Sequence, residues 1–175
     1  LVNVKTAEGA FSKLISGNKP KPIDLLKAEL EAKGFEVEIH ESPMDKIADL
    51  PPEEQMKSIM NAYAAKRPIK ELTDKYDLII NVANVKMGEV VQRMTWNALK
   101  GTPDIPFYVH EIPTIFVSVN YPFHLADVPQ VKTYINAYDG NKGTIELLVE
   151  KLMGQSEFKG KDPVDAFCGL IDTRI

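Results

Sequence analysis

A chain of 175 residues has the length of one domain and can bury a sizeable core without a disulfide or metal staple. Its 44% apolar and 26% charged residues exclude a disordered chain, and 21 basic against 25 acidic residues, a formal charge of −4, disfavour a nucleic-acid groove or an anionic membrane surface. A single cysteine, Cys168, excludes an internal disulfide framework and a Cys-based zinc site. No apolar run approaches about 18 residues, so no membrane insertion is expected. The chain opens on Leu1 rather than Met and shows no charged stretch followed by an apolar one. The expectation is a cut-out domain whose localisation, cytoplasmic or exported, stays open.

Leu1 to Lys5 alternates apolar and polar residues, which predicts a short strand. A Gly-, Asn- and Pro-rich loop spans Ser16 to Pro22. Ile23, Leu26 and Leu30 then fall at helical spacing, and Gly34 stands where a left-handed cap ends a helix. Phe35 to Ile39 alternates as a strand with one buried face. Pro51, Pro52, Glu53 and Glu54 open a second helix, with Met56, Ile59, Met60 and Tyr63 as its apolar stripe. Pro68 breaks it, and Ile69 and Leu72 continue a short stretch.

Leu78 to Val82 predicts a strand buried on both faces, as in a parallel sheet. Residues 90–96 fit either a helix or a strand, and extended structure is favoured by the β-branched Val91 and Thr95. Ile115 to Val119 predicts a second central strand, stopped at Pro122. Thr133 to Tyr138 predicts another, followed by a turn at Asp139–Asn141. Ile145, Leu148, Val149 and Leu152 mark a final helix with Gly154 as its stop. Residues 155–175 lack periodicity and are expected to form an irregular tail. The whole reads as one α/β domain over residues 1–175, a three-layer αβα sandwich around a mostly parallel sheet of about six strands.

The chemistry-bearing residues are sparse. No glycine-rich phosphate loop and no nucleophile elbow is present. Ser118 reads as a strand serine, and Cys168 as a small buried residue. His40, His110 and His124 show no metal-ligand spacing, so neither a metal nor a cofactor is expected. Asp127 reads as a turn or cap acid. His124 stands out because it follows a strand's carboxyl end, where open α/β sheets hold their ligands. Asn120 precedes it at the same strand end. Arg93 and Trp96 form the other candidate pair: an indole offers a stacking face and a guanidinium a fork of donors, which suits a sugar or a protein surface.

Several ordered stretches go further. Pro113 to Asn120, Tyr121 to Leu125, Asp127 to Pro129 and Lys132 to Tyr138 resemble the carboxyl-terminal domain of glycoside hydrolase family 3, in its bacterial β-N-acetylhexosaminidase-like branch. Gln92 to Trp96, Phe107 to Val109, Val149 to Gly154, Ser156 to Gly160 and Phe167 to Gly169 are similar to the same domain. The resemblance covers residues 76–169. It implies an accessory domain of a retaining, exo-acting β-glycosidase. Its expected partner is an N-terminal (β/α)8 barrel of the same polypeptide, and its expected ligands are β-linked sugars.

Retention requires a carboxylate nucleophile and an acid/base group, both of which the resemblance assigns to the barrel in this branch; in the family's glucosidase branch the acid/base is a Glu of the second domain, which matches no position of this sequence. No catalytic residue is therefore carried over, and this chain is expected to hydrolyse nothing alone. Arg93, Trp96, Asn120 and His124 are the candidates for a substrate-cleft wall or domain interface. A stand-alone carbohydrate-binding or assembly module is the alternative.

Overall fold

The computed structural model of the chain describes residues 2–7, 20–42, 47, 50–64, 68–85, 94 and 106–169. Four strands lie side by side in chain order, all parallel: β1 (Val2–Ala7), β2 (Ile79–Val85), β3 (Thr114–Ser118) and β4 (Thr133–Asn136). Helices α1 (Pro22–Ala32), α2 (Pro52–Ala64) and α3 (Ile69–Thr73) fall between β1 and β2. A 3-10 helix (Pro122–Asp127) joins β3 to β4, and α4 (Lys142–Leu152) follows β4.

The α/β class and the parallel sheet agree with the expectation; the count of about six strands does not. Four strands are formed among the described residues. The stretch 35–39 forms a single bridge, with Ile39 parallel to Val2 on the free edge of β1. Val2 N–H donates to Glu38 O and His40 N–H to Val2 O, both at 2.8 Å. Val37 and Ile39 are half-buried against the core, but Phe35, at the start of the same face, is 44% exposed, and the pairing stops at one bridge. Lys75 Nζ reaches Glu38 at 2.6 Å, and this bond holds the Glu38 carboxyl below its ordinary value. The sixth expected strand, 90–96, lies outside the described residues except for Met94.

The bridge fixes the topology. Read across the sheet, the order is 35–39, β1, β2, β3, β4, so the chain reverses direction of growth at β1. Right-handed crossovers on either side of such a reversal put their helices on opposite faces. Alternation along the strands shows the result. Ile80 and Val82 of β2 and Val117 of β3 point to one face, with Val119 just beyond β3. There they bury Ile23, Leu26 and Leu30 of α1 and Ile145, Leu148 and Val149 of α4.

Ala83, Val85 and Phe116 point to the other face, against Met94, Val109, Val128 and Val131. Ile79 meets Leu72 of α3, Tyr108 and Ile112 there. Both faces of the central strands are covered, as the apolar run of β2 requires. Each fully buried aliphatic side chain of this core contributes about 1.5–3 kcal/mol.

The apolar stripe expected for α2 turns differently. Met56 and Met60 are 66% and 63% exposed, while Gln55, Ser58, Ile59 and Ala62 are half-buried. Gln55 Nε2 donates to Leu50 O at 2.7 Å, which anchors the first turn through a polar rather than an apolar contact.

Candidate functional site

In open α/β sheets ligands gather along the carboxyl edge, in the crevice at the reversal of strand order; here that reversal is at β1, the residues following β1 lie outside the described ones, and the edge is traced along β2, β3 and β4. The residues that the described structure places there are Asn84, Ser118, Asn120, Tyr121, His124, Asn136 and Tyr138. Strand register brings them together. Ser118 is paired with Asn136 and with Ala83, so Asn120 and Tyr138 lie two positions past β3 and β4, level with Asn84 near the end of β2.

Pro122 cannot continue the β3 ladder and starts the 3-10 helix instead. That turn carries His124 back under the strand end, where it is fully buried. Its Nδ1 lies 2.9 Å from Ser118 Oγ, and Ser118 Oγ donates to Tyr121 O at 2.6 Å. A hydroxyl has one proton, and a carbonyl only accepts. The Ser118 proton therefore goes to Tyr121 O, and His124 Nδ1–H donates to Ser118 Oγ. This wiring is the reverse of an activated nucleophile, in which histidine accepts the serine proton. The Tyr121 ring meets His124 edge-on at 5.2 Å between centroids.

Asn120 is half-buried, and its Nδ2 donates to Asn84 Oδ1 at 2.5 Å, which links the ends of β2 and β3. Asp127 Oδ2 accepts Met94 N–H at 3.0 Å, so the expected turn acid ties a segment 33 positions away to the 3-10 helix. The Tyr134 ring stacks on Phe116 at 5.6 Å, and its hydroxyl donates to Pro122 O at 3.3 Å. Burial pushes the Tyr134 hydroxyl well above the usual phenol range.

Beyond β4 stands a second polar group. Tyr138 OH donates to Asp162 Oδ1 at 2.6 Å, Asn136 Nδ2 donates to Asp162 Oδ2, and Val164 N–H donates to Asp162 Oδ1 at 3.1 Å. Asp162 thereby fastens residues 162–164 across the end of the sheet. Burial, followed by the Asp162 bond and charge, pushes the Tyr138 hydroxyl up to about 12.

Of the four sequence candidates, the described structure contains two. Asn120 and His124 share the β3 end but take part in separate bonds. Arg93 and Trp96 lie outside the described residues. Sequence reasoning missed Asn84, which meets Asn120 through strand register, and Tyr138 and Asp162, which meet because the chain beyond α4 returns to the end of β4. For Tyr138 a local signal existed, since an aromatic residue directly before the Asp139–Gly140 turn has little core to enter. Cys168 corrects its expectation: it is exposed, in a turn where Asp165 accepts the N–H groups of Phe167 and Gly169. Among the described residues, no group of three or more His, Cys, Asp or Glu side chains could hold a metal ion, and no helix is long and apolar enough to cross a membrane.

Comparison with known proteins supplies what the geometry does not. No family model matches the chain. A β-N-acetylglucosaminidase/β-glucosidase of Cellulomonas fimi is 41% identical over 110 residues, which are 62% of this chain and 19% of that protein. The solved structure of the β-glucoside phosphorylase BglX is 35% identical, with a TM-score of 0.69 over 99% of this chain and 27% of its own. A glycoside hydrolase family 3 β-N-acetylglucosaminidase from Paenibacillus sp. str. FPU-7 is 20% identical with a TM-score of 0.50 and shares the fold. The chain thus spans between a fifth and about a quarter of the length of these relatives. It is a homologue of one region of glycoside hydrolase family 3 β-N-acetylglucosaminidase/β-glucosidase proteins, consistent with a C-terminal domain of that family.

Proposed function

We propose that the chain is the accessory domain of an enzyme acting on terminal β-linked glucose or N-acetylglucosamine. In this reading it packs on an N-terminal (β/α)8 barrel, and the carboxyl edge of its sheet walls the substrate cleft. The observation that carries the reading is the 41% identity to the Cellulomonas fimi enzyme over 110 residues. Asn120 and His124 hold that edge in shape: the Asn84–Asn120 amide pair joins two strand ends, and the His124–Ser118–Tyr121 chain fixes the turn between β3 and the 3-10 helix. Arg93 and Trp96 are proposed to add a donor fork and a stacking face to the same wall. An inter-domain cleft of this kind is a common place for a small ligand.

A second reading concerns the acceptor of the glycosyl group. The β-glucoside phosphorylase BglX matches 99% of this chain at 35% identity, so phosphate stands beside water as a candidate acceptor. One experiment covers both. The full-length protein is incubated with p-nitrophenyl β-glucoside and p-nitrophenyl β-N-acetylglucosaminide, with and without inorganic phosphate, and products are separated. Free sugar in both cases identifies a hydrolase. Sugar 1-phosphate, formed at a rate that rises with phosphate, identifies a phosphorylase. Activity on neither glycoside overturns the accessory-domain reading. In that case sugar binding by the full-length protein would leave the carbohydrate-binding module as the alternative.

A further inference from the structure

Tyr138 has a backbone φ of 61°. A bulky side chain rarely enters this left-handed region, where its Cβ crowds the carbonyl oxygen. Burial does not explain the choice of residue, because Tyr138 remains 45% exposed. A glycine would adopt the conformation freely, and one stands two positions on, at Gly140. The surroundings instead hold the ring in place. Asp162 accepts the Tyr138 hydroxyl proton at 2.6 Å, and Asp162 is itself held by Asn136 and by Val164 N–H. Strained backbone together with an exposed but tethered side chain marks a position kept for something outside the core.

The location narrows what that is. The β3–β4 register pairs Ser118 with Asn136, so Tyr138 and Asn120 stand at equal steps past their strands. At the hydroxyl end of the exposed ring stand the Asp162 carboxylate and, on its other oxygen, the Asn136 amide. β-Linked glucose and N-acetylglucosamine carry equatorial hydroxyls around an apolar C–H face. An aromatic face with acceptors and donors at its rim matches both parts of that surface. A ring already fixed in one orientation loses little freedom on binding.

We propose that Tyr138 is a stacking residue for a β-linked pyranose unit, with Asp162 as its positioning residue. The proposal rests on the reading that the full-length protein acts on β-glycosides. It adds a sugar contact from this domain, beyond the proposed Arg93, Trp96, Asn120 and His124 wall.

The test uses the full-length protein and its Tyr138→Ala, Tyr138→Phe, Tyr138→Trp and Asp162→Asn variants, with cellobiose and N,N′-diacetylchitobiose as substrates. Loss of the ring should raise KM for the better disaccharide about tenfold with little change in kcat, the scale of one aromatic contact. Tyr138→Phe and Tyr138→Trp keep a stacking face but lose the bond to Asp162, so their KM should lie between those of the parent and Tyr138→Ala. Asp162→Asn should fall between. A ring that only latches the tail gives the opposite pattern: Tyr138→Ala and Tyr138→Phe lower Tm alike and leave KM unchanged, which overturns the proposal.

If Tyr138→Ala fails to fold, Tyr138→Leu takes its place, since it keeps bulk without an aromatic face: a KM raised about tenfold supports stacking, and a KM equal to the parent's overturns it. If the parent acts on no β-glycoside, the reading of function fails separately. The stacking proposal is then judged by NMR titration of the parent with both disaccharides. Sugar-dependent shifts of the Tyr138 ring support it, and their absence at saturating sugar overturns it.

Discussion

Ser118 and His124 show how one proton decides what a site can do. The Ser118 hydroxyl donates to Tyr121 O, so His124 must donate from Nδ1, and the pair braces a turn instead of preparing a nucleophile. Ser118→Ala removes the acceptor of one buried group and the donor of another. We expect a loss of about 1–3 kcal/mol, read as a lower urea midpoint. Nitrogen NMR should find Nδ1 protonated in the parent, and an Nε2–H tautomer would refute this wiring. Tyrosine supplies a pH prediction. The folded state holds the Tyr138 hydroxyl up to about 12 and pushes that of Tyr134 upward as well, from an ordinary value of 10. A raised folded value means that the contribution is fully present below the unfolded value and is lost as pH rises through the folded one. Stability should therefore decline from about pH 10 upward. Tyr138→Phe should flatten part of that decline, and tyrosinate absorbance followed alongside circular dichroism would check it.

At the scale of elements, the junction between β4 and α4 is the most exacting place in the described fold. Gly140 lies so close to α1 that an added Cβ would sit 2.5 Å from Pro22 Cγ, inside contact distance. Pro22 belongs to the first turn of α1 and cannot swing away, so Gly140→Ala should cost about 1–3 kcal/mol by overpacking. Asn141 caps α4 by accepting Thr144 N–H at 2.9 Å, and Asn141→Ala should cost about 1 kcal/mol. Thermal unfolding of both variants checks the two figures; a Gly140→Ala variant as stable as the parent would contradict the contact. The helices were legible in the sequence because their signals are local. Ile23, Leu26 and Leu30 are buried as their spacing predicts, and Gly34 has the φ of 92° that a left-handed cap requires. The stripe of α2 misled because periodicity gives an apolar face without saying that anything covers it. Alternation at 35–39 likewise predicted a strand face but could not tell a full ladder from a single bridge.

The molecule as a whole explains why the candidate site was only half legible. Asn120 and His124 could be picked out because Pro122 announces a strand end. Their partners could not: Asn84 lies 36 positions from Asn120, and Asp162 lies 24 from Tyr138. The first pair exists because parallel register brings the ends of β2 and β3 level, the second because the chain beyond α4 returns to the end of β4, and no local pattern encodes either approach. The same edge sets a limit on chemistry. A retaining glycosidase needs two carboxyl groups about 5–5.5 Å apart, one to attack the anomeric carbon and one to protonate the leaving oxygen. The described acids at this edge have other partners: Asp127 holds Met94 N–H, Asp139 holds Asn141, and Asp162 holds Asn136, Tyr138 and Val164. A barrel of the expected kind takes about 250 residues, more than this chain contains. We therefore expect the 175-residue chain alone to release no p-nitrophenol from aryl β-glucosides or β-N-acetylglucosaminides, with or without phosphate. The full-length protein, assayed in parallel, should do so. Turnover by the chain alone, abolished by Asp162→Asn or Asp127→Asn, would place the catalytic acids in this domain and overturn the proposed accessory role.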